Sequence, residues 1–282
     1  MTSLRQATLP DGRRIFSVRP REVGPIYQQV QEYCRHGIRV QEGDIVFDVG
    51  ANIGLFPLWL RQSASRNITV FSFEPIPVVF DALQHNAQRF DPGSWKVFRC
   101  GLGRHCGTAT FAYFSRLTAM SSVYPDTSTD AVVSLRNTIL RNANWLPQGL
   151  RWMHRLSGLL LRPCVDYLIR RAFVLENVEC PIRTVSDVIR EERIPRIDLL
   201  KVDVEKAEWD VLEGIDAADW AVIRQVVVEV HDMNGRLADV ASLLAANGLK
   251  DIHIDQEPLF QGSEIYNLYA RRPDCEVKLP TR

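Results

Sequence analysis

The chain has 282 residues, of which 46% are hydrophobic and 24% charged, and its 34 basic side chains balance 34 acidic ones. Such a composition suits one large α/β domain, or one domain with an insertion, with enough core to fold without disulfide staples. A neutral balance carries no electrostatic footprint for nucleic acid, no apolar run reaches the length of a membrane span, and the first residues, MTSLRQATLPDGRR, lack a signal peptide's apolar stretch.

Residues 6–18 are predicted as a small hairpin turning at Pro10-Asp11-Gly12, and 25–36 as a helix with Ile26, Val30 and Tyr33 or Cys34 on one face. Strands are then predicted at 44–49, 68–73 and 96–100, with helices at 55–62 and 77–89 between them. This alternation signals βαβ units and a parallel sheet. Residues 126–176 break it: they hold no strand-like run and are expected to form a helical cap or lid inserted into the core, with breaks at Pro147, Gly149 and Pro163. The alternation resumes with a strand at 198–202, a helix at 207–212, a strand at 226–230 and a helix at 237–246 closed by Gly248. KDIHIDQ and EIYNLYARR end the chain as two further strands. The expected division is residues 1–40 as hairpin and helix, 41–125 with 177–282 as the core, and 126–176 as the insertion.

Six cysteines (34, 100, 106, 164, 180 and 275) form no C-x-x-C pair and no histidine cluster accompanies them, the usage of reduced thiols in a cytoplasmic protein. The chemistry concentrates in three segments. Asp48-Val-Gly-Ala-Asn-Ile-Gly54 links a buried strand to a helix, where open α/β sheets bind ligands. Gly50 and Gly54 allow a tight turn and close approach of backbone to ligand. Asn52 stands where the second glycine of a G-x-G-x-x-G phosphate loop belongs, and no P-loop lysine follows. Asp48 suits a cationic amino-acid moiety better than a pyrophosphate, and Glu74 lies about 20 residues past Gly54, the distance at which a carboxylate reaches ribose hydroxyls. Together they favour S-adenosylmethionine over a nicotinamide cofactor, with Ala51, Asn52, Pro75 and Gly101 as further cofactor contacts.

The second segment, IDLLKVDVEKAE (197–208), is an apolar strand ending in Asp203 and Glu205 at the cleft. Asp203 is expected at the cofactor's methionine part or at the acceptor, and Glu205 at the acceptor. Glu208 is either a cleft residue or a helix-start charge. In the third, VVVEVHD (226–232), strand alternation puts Glu229 and His231 on one face, as a catalytic pair or as a structural one. Tyr27, Ser121 and Ser122 either close over the substrate or pack in loops and helices.

The loop DVGANIG (48–54), FEP (73–75), IDLLKVDVEKAE (197–208) and EVH (229–231) together resemble the FkbM family of methyltransferases. LPDGRRIFSVRPREVGPIYQQVQEYCRHGI and Ser115–Pro125 resemble versions from natural-product biosynthesis. The resemblance spans nearly the whole chain outside the insertion, with Lys206 where the family usually has glycine. It implies a Rossmann-like class I fold, a mostly parallel sheet with a C-terminal antiparallel hairpin, and methyl transfer from S-adenosylmethionine to a hydroxyl of a small or acyl-carrier-bound polyketide or peptide substrate. A sugar or glycolipid acceptor is the enzymatic alternative, and a non-catalytic cofactor-binding scaffold the alternative of another class. For the chemistry, His231 is expected as general base oriented by Glu229, with Asp203 beside them. No metal is assigned, and magnesium on Asp203, Glu205 and Asp232 ranks below the base mechanism. The insertion carries Arg136, Arg141, Arg151, Arg155, Arg162, Arg170 and Arg171 against Asp166 between 131 and 172. These arginines are either solvated or paired, or they dock an acidic acyl carrier protein, and an anionic membrane surface could use the same charge. No nucleic acid or membrane partner is expected.

Overall fold

Every strand predicted from the alternating pattern is a strand of one central sheet in the computed structural model. The structure describes residues 4–64, 67–115, 121–125, 174–258 and 260–273, with isolated positions between 118 and 169. β3 (Ile45–Val49), α2 (Leu55–Ser63), β4 (Thr69–Phe73), α3 (Pro77–Phe90) and β5 (Trp95–Phe98) follow in chain order, and β3, β4 and β5 lie side by side in parallel. The chain then returns to the other side of β3. There β9 (Leu199–Val202) and β10 (Gln225–His231) extend the parallel set, separated in sequence by α5 (Glu208–Glu213). After α6 (Arg236–Ala246), β11 (Asp251–Asp255) and β12 (Ile265–Arg271) form the expected antiparallel hairpin. The last strand is the one that joins the sheet, giving the order β11-β12-β10-β9-β3-β4-β5.

These strands are short runs of Val, Ile, Leu and Phe because both faces of the sheet are covered. Alternation divides their side chains between two cores. Val46, Val70, Leu199 and Val227 pack with α2 and α3, while Phe47, Phe71, Leu200 and Val228 pack with α4 (Val185–Glu192), α5 and α6. The order reverses between β3 and β9, so the connections leaving their carboxyl ends run in opposite directions along the sheet and leave a crevice, the usual ligand position in open α/β sheets.

At the N-terminus, β1 (Arg5–Thr8) and β2 (Arg14–Ser17) form the expected hairpin. The helix expected over 25–36 is shorter: α1 (Val23–Gln29) ends and a separate 3₁₀ turn covers Glu32–Cys34. A second sheet, in the order β6-β8-β7, was not legible. It comprises β6 (Gly101–Leu102), β7 (Gly107–Phe114) and β8 (Leu175–Arg183). The first half of β7 is largely exposed, and β8 carries Glu176, Glu179 and Pro181, so neither shows a clean apolar alternation. α4 follows β8, with the Thr184 hydroxyl accepting from the Asp187 N–H at 3.0 Å.

Phe114 faces Leu175 in the β7–β8 register, so the two ends of the segment between them lie side by side. Leu175 and Glu176, expected in the insertion, belong instead to β8. Almost all of 126–174 lies outside the described residues, including Arg141, Arg151, Arg155, Arg162, Arg170 and Arg171. Of the positions described there, Val165 and Ile169 are buried and Arg136 pairs with Asp166 at 3.0 Å.

Candidate active site

The glycine loop leaves β3 with its backbone tied down on two sides. The N–H groups of Gly50 and Ala51 both donate to the Phe73 carbonyl, at 3.1 and 3.0 Å, and Asp203 N–H donates to the Val49 carbonyl at 3.1 Å. Gly50 has φ 73°, and a Cβ there would sit 1.7 Å from the Asp203 carbonyl oxygen. Only glycine lets β3 and β9 approach this closely while the chain turns. Gly54 (φ 86°) starts α2 against the Trp95 ring.

A cleft open to solvent lies over this loop. Gly50, Ala51 and Asn52 of the loop line it, together with Glu74, Pro75 and Gly101 and with Asp203, Glu205 and Ser121. Glu74 is almost fully buried and accepts hydrogen bonds from the Asn52 N–H (3.1 Å) and the Ile76 N–H (2.9 Å). Burial outweighs those two donors and pushes its pKa up to about 8.

Several expected site residues sit elsewhere. Asp48 has no exposed surface and does not line the cleft, so its expected contact with the cofactor is corrected. Register explains its place: Asp48 lies between Lys201 on β9 and Ser72 on β4, on one face of the sheet. Lys201 Nζ is 3.1 Å from the Asp48 carboxylate and donates to the Gly50 carbonyl at 2.9 Å, so the buried pair props up the loop from below. Burial works against the Lys201 ammonium, but Asp48 and then Asp203 outweigh it and leave its pKa above the ordinary value. Tyr27 turns its hydroxyl to Gln62 (2.9 Å), and Ser122 donates to the Glu205 backbone carbonyl, so both hold neighbouring segments and neither lines the cleft. Gly54 likewise does not line it.

The expected pairing of Glu229 with His231 is also corrected. His231 lies between Glu208, 3.0 Å from Nδ1, and Glu205, 3.4 Å from Nε2, while Glu229 accepts from Gln29 Nε2 at 2.8 Å. Burial opposes charge on the imidazole, but hydrogen bonds to Glu205 and Glu208 overcome it and hold its pKa well above the usual value. An imidazolium has no free lone pair, so this geometry does not suit His231 as a general base at neutral pH. Asp203 accepts from the Tyr33 hydroxyl at 2.8 Å.

Lys201, Gln29 and Tyr33 went unassigned in the sequence. Lys201 left a readable signal, a lone lysine inside the apolar run LLKV, which burial permits only beside a counter-charge. Gln29 and Tyr33 left none, because their partners lie 200 and 170 residues away.

A family model of the methyltransferase FkbM domain matches residues 48–250, which spans the loop, Glu74, both acidic strand ends and α6. The chain belongs to the FkbM methyltransferase family. It is 37% identical over 268 residues to 31-O-demethyl-FK506 methyltransferase FkbM of Streptomyces tacrolimicus, covering 94% of this chain and 95% of that protein. It is 34% identical to AMB antimetabolite synthetase AmbE of Pseudomonas aeruginosa, over 98% of this chain but 13% of the synthetase. Methyltransferase sdnD of Sordaria araneosa is 29% identical, with 88% and 90% covered.

As a member of the FkbM family the protein is a methyltransferase, and the family implies S-adenosylmethionine as donor. The charge of the cleft suits that molecule. Its sulfonium and ammonium are cationic, and the walls present the Glu74, Asp203 and Glu205 carboxylates at the end of a parallel sheet.

Proposed function

We propose that this FkbM-family protein transfers a methyl group from S-adenosylmethionine to a hydroxyl oxygen of a small or carrier-bound natural-product substrate. The observation that carries the reading is that Glu74, Asp203 and Glu205 line one cleft together with the glycine loop. The ribose hydroxyls fit against Glu74, the methionine end against the backbone of Gly50 to Asn52, and the acceptor toward Asp203 and Glu205. When bound, the donor supplies an already activated methyl group. The protein's own part is alignment, exclusion of water and removal of the acceptor proton.

Asp203 is the better-placed proton acceptor. It lines the cleft and one oxygen is oriented by the Tyr33 hydroxyl, whereas His231 is held between carboxylates. The acceptor class is supported by two relatives: one is named for an O-demethyl natural product, and the other is a synthetase in which the matching segment is a small part. The test is to incubate the chain with S-adenosylmethionine and matched free and carrier-bound acceptors carrying either a hydroxyl or an amine. Mass spectrometry should find S-adenosylhomocysteine and methylation of the hydroxyl compounds. Methylation of the amines alone would refute the oxygen acceptor.

A further inference from the structure

The acidic end of the cleft is arranged as a set of oxygen ligands. Asp203, Glu205 and Glu229 present carboxylate oxygens that all lie within 4.8 Å of one another. Each is oriented through one oxygen: Tyr33 holds Asp203 Oδ2, Gln29 holds Glu229 Oε2, and His231 faces Glu205 Oε2. Lys201 pairs with one of them, Asp203, and with neither glutamate at salt-bridge distance. Its ammonium is turned to Asp48 and the loop carbonyls and reaches Asp203 only at 3.6 Å.

An independent observation comes from the neighbouring strand. Asn267 on β12 is the register partner of Glu229 on β10, so the two side chains stand beside each other on one face of the sheet. Asn267 is 2% exposed. Its Nδ2 donates to Glu257 at 2.8 Å. The remaining Oδ1 is buried with no hydrogen-bond partner. An amide oxygen and a carboxylate are both acceptors, so neither satisfies the other. Burying such an oxygen unpaired is costly, and a cation between the two resolves the cost for both.

We propose that Asp203, Glu205 and Glu229, with the Asn267 carbonyl oxygen beside them, bind one hard divalent cation at the acceptor end of the cleft. An all-oxygen donor set selects ions of the magnesium and manganese class over zinc. Asp203 and Glu205 line the cleft, so the ion keeps coordination positions open toward it. An acceptor oxygen fits there, with Asp203 bound to the ion through one oxygen and its other oxygen left for the acceptor proton, which makes this role rest on the hydroxyl-acceptor reading above. Asp232, the third carboxylate in the arrangement considered from sequence, is not part of the site: it accepts from the Leu237 N–H at 3.0 Å.

The test is titration of Mn²⁺ alone into the purified full chain, followed by electron paramagnetic resonance and calorimetry without acceptor. One ion should bind per chain. Glu229→Gln and Glu205→Gln should each weaken binding about tenfold or more, the least that losing even an outer ligand partner costs. Circular dichroism and an unchanged unfolding transition report that a variant is folded. If Glu229→Gln does not fold, Glu205→Gln carries the comparison, its side chain being 27% exposed. Failure of the native chain to bind Mn²⁺ at millimolar ion, or undiminished binding by the folded variants, overturns the site. Because no acceptor is present, a wrong acceptor class leaves this titration intact, and a missing ion leaves product analysis intact.

Discussion

Lys201 and Asp48 face each other at 3.1 Å beneath the glycine loop, the lysine side chain 3% exposed and the aspartate fully buried. Two buried charges hold each other in place, and the lysine spends a further donor on the Gly50 carbonyl. Removing one partner strands the other in a low-dielectric site. Lys201→Met should therefore destabilise the protein by about 3–5 kcal/mol, and Lys201→Met with Asp48→Leu should recover much of that loss. Denaturant unfolding measures both. A Lys201→Met protein as stable as the native one would show that the pair does not support the loop.

Glu74 ties cofactor affinity to pH. Glu74→Ala should weaken S-adenosylmethionine binding by about 1.5–3 kcal/mol, the range for a hydrogen bond to a charged group, as read by calorimetry. The ionised carboxylate is the form that accepts from ribose hydroxyls, and in the free protein its pKa is pushed up to about 8. Affinity should rise with pH up to about 8 and level off above it, a dependence absent in Glu74→Gln. The raised pKa has a stability counterpart of opposite sense: Glu74 contributes stability that is fully present below its unfolded pKa near 4.5 and lost as pH rises through about 8. A flat affinity profile from pH 6 to 9 would contradict the assignment.

Asp203 and His231 should separate in kinetics. Asp203→Asn is expected to lower kcat by roughly 10²–10⁴, the range for a positioned proton acceptor, with little change in S-adenosylhomocysteine affinity. His231→Gln should fall well short of that loss, because the histidine positions Glu205 and Glu208 and takes no proton from the acceptor. The reverse order of effects would restore His231 as the base.

Two glycines with similar backbone angles should respond differently to alanine. Gly12 has φ 86° with nothing within 4 Å of an added Cβ, so Gly12→Ala carries only the left-handed penalty, about 1–2 kcal/mol. At Gly50 the added carbon meets the Asp203 carbonyl oxygen, so overpacking adds roughly 1–3 kcal/mol and forces β9 away from β3. Gly50→Ala should lose more stability than Gly12→Ala and bind S-adenosylmethionine more weakly. Equal losses would mean that the strand ends yield without cost.

Much of this was legible in the sequence because it is local. A change from period-two apolar runs to helical periodicity marks β3, α2, β4 and α3, and the glycine spacing with Asn52 identifies the loop. The resemblance also flagged Lys206, at a position where the family usually has glycine. In the structure Lys206 has φ 79°, a left-handed angle that glycine adopts without strain, and its N–H donates to Glu208 at 2.7 Å. β7 and β8 were missed because they are partly exposed and interrupted, so their pairing rather than their composition makes them strands.

The side-chain assignments divide along the same line. Sequence alone determined that acids stand at the ends of β9 and β10 and that Glu74 follows β4, because alternation and chain order suffice to place them there. Only the tertiary structure decided which acid serves which partner. The lateral register of β9, β3 and β4 turned Asp48 toward Lys201 and away from the cleft. The fold of α5 brought Glu208 to His231, α1 brought Gln29 to Glu229, and β12 set Asn267 beside it. Each of these pairs joins segments far apart in the chain, and a buried charge is governed by whatever group packing brings within a few ångströms of it, whatever its separation in sequence.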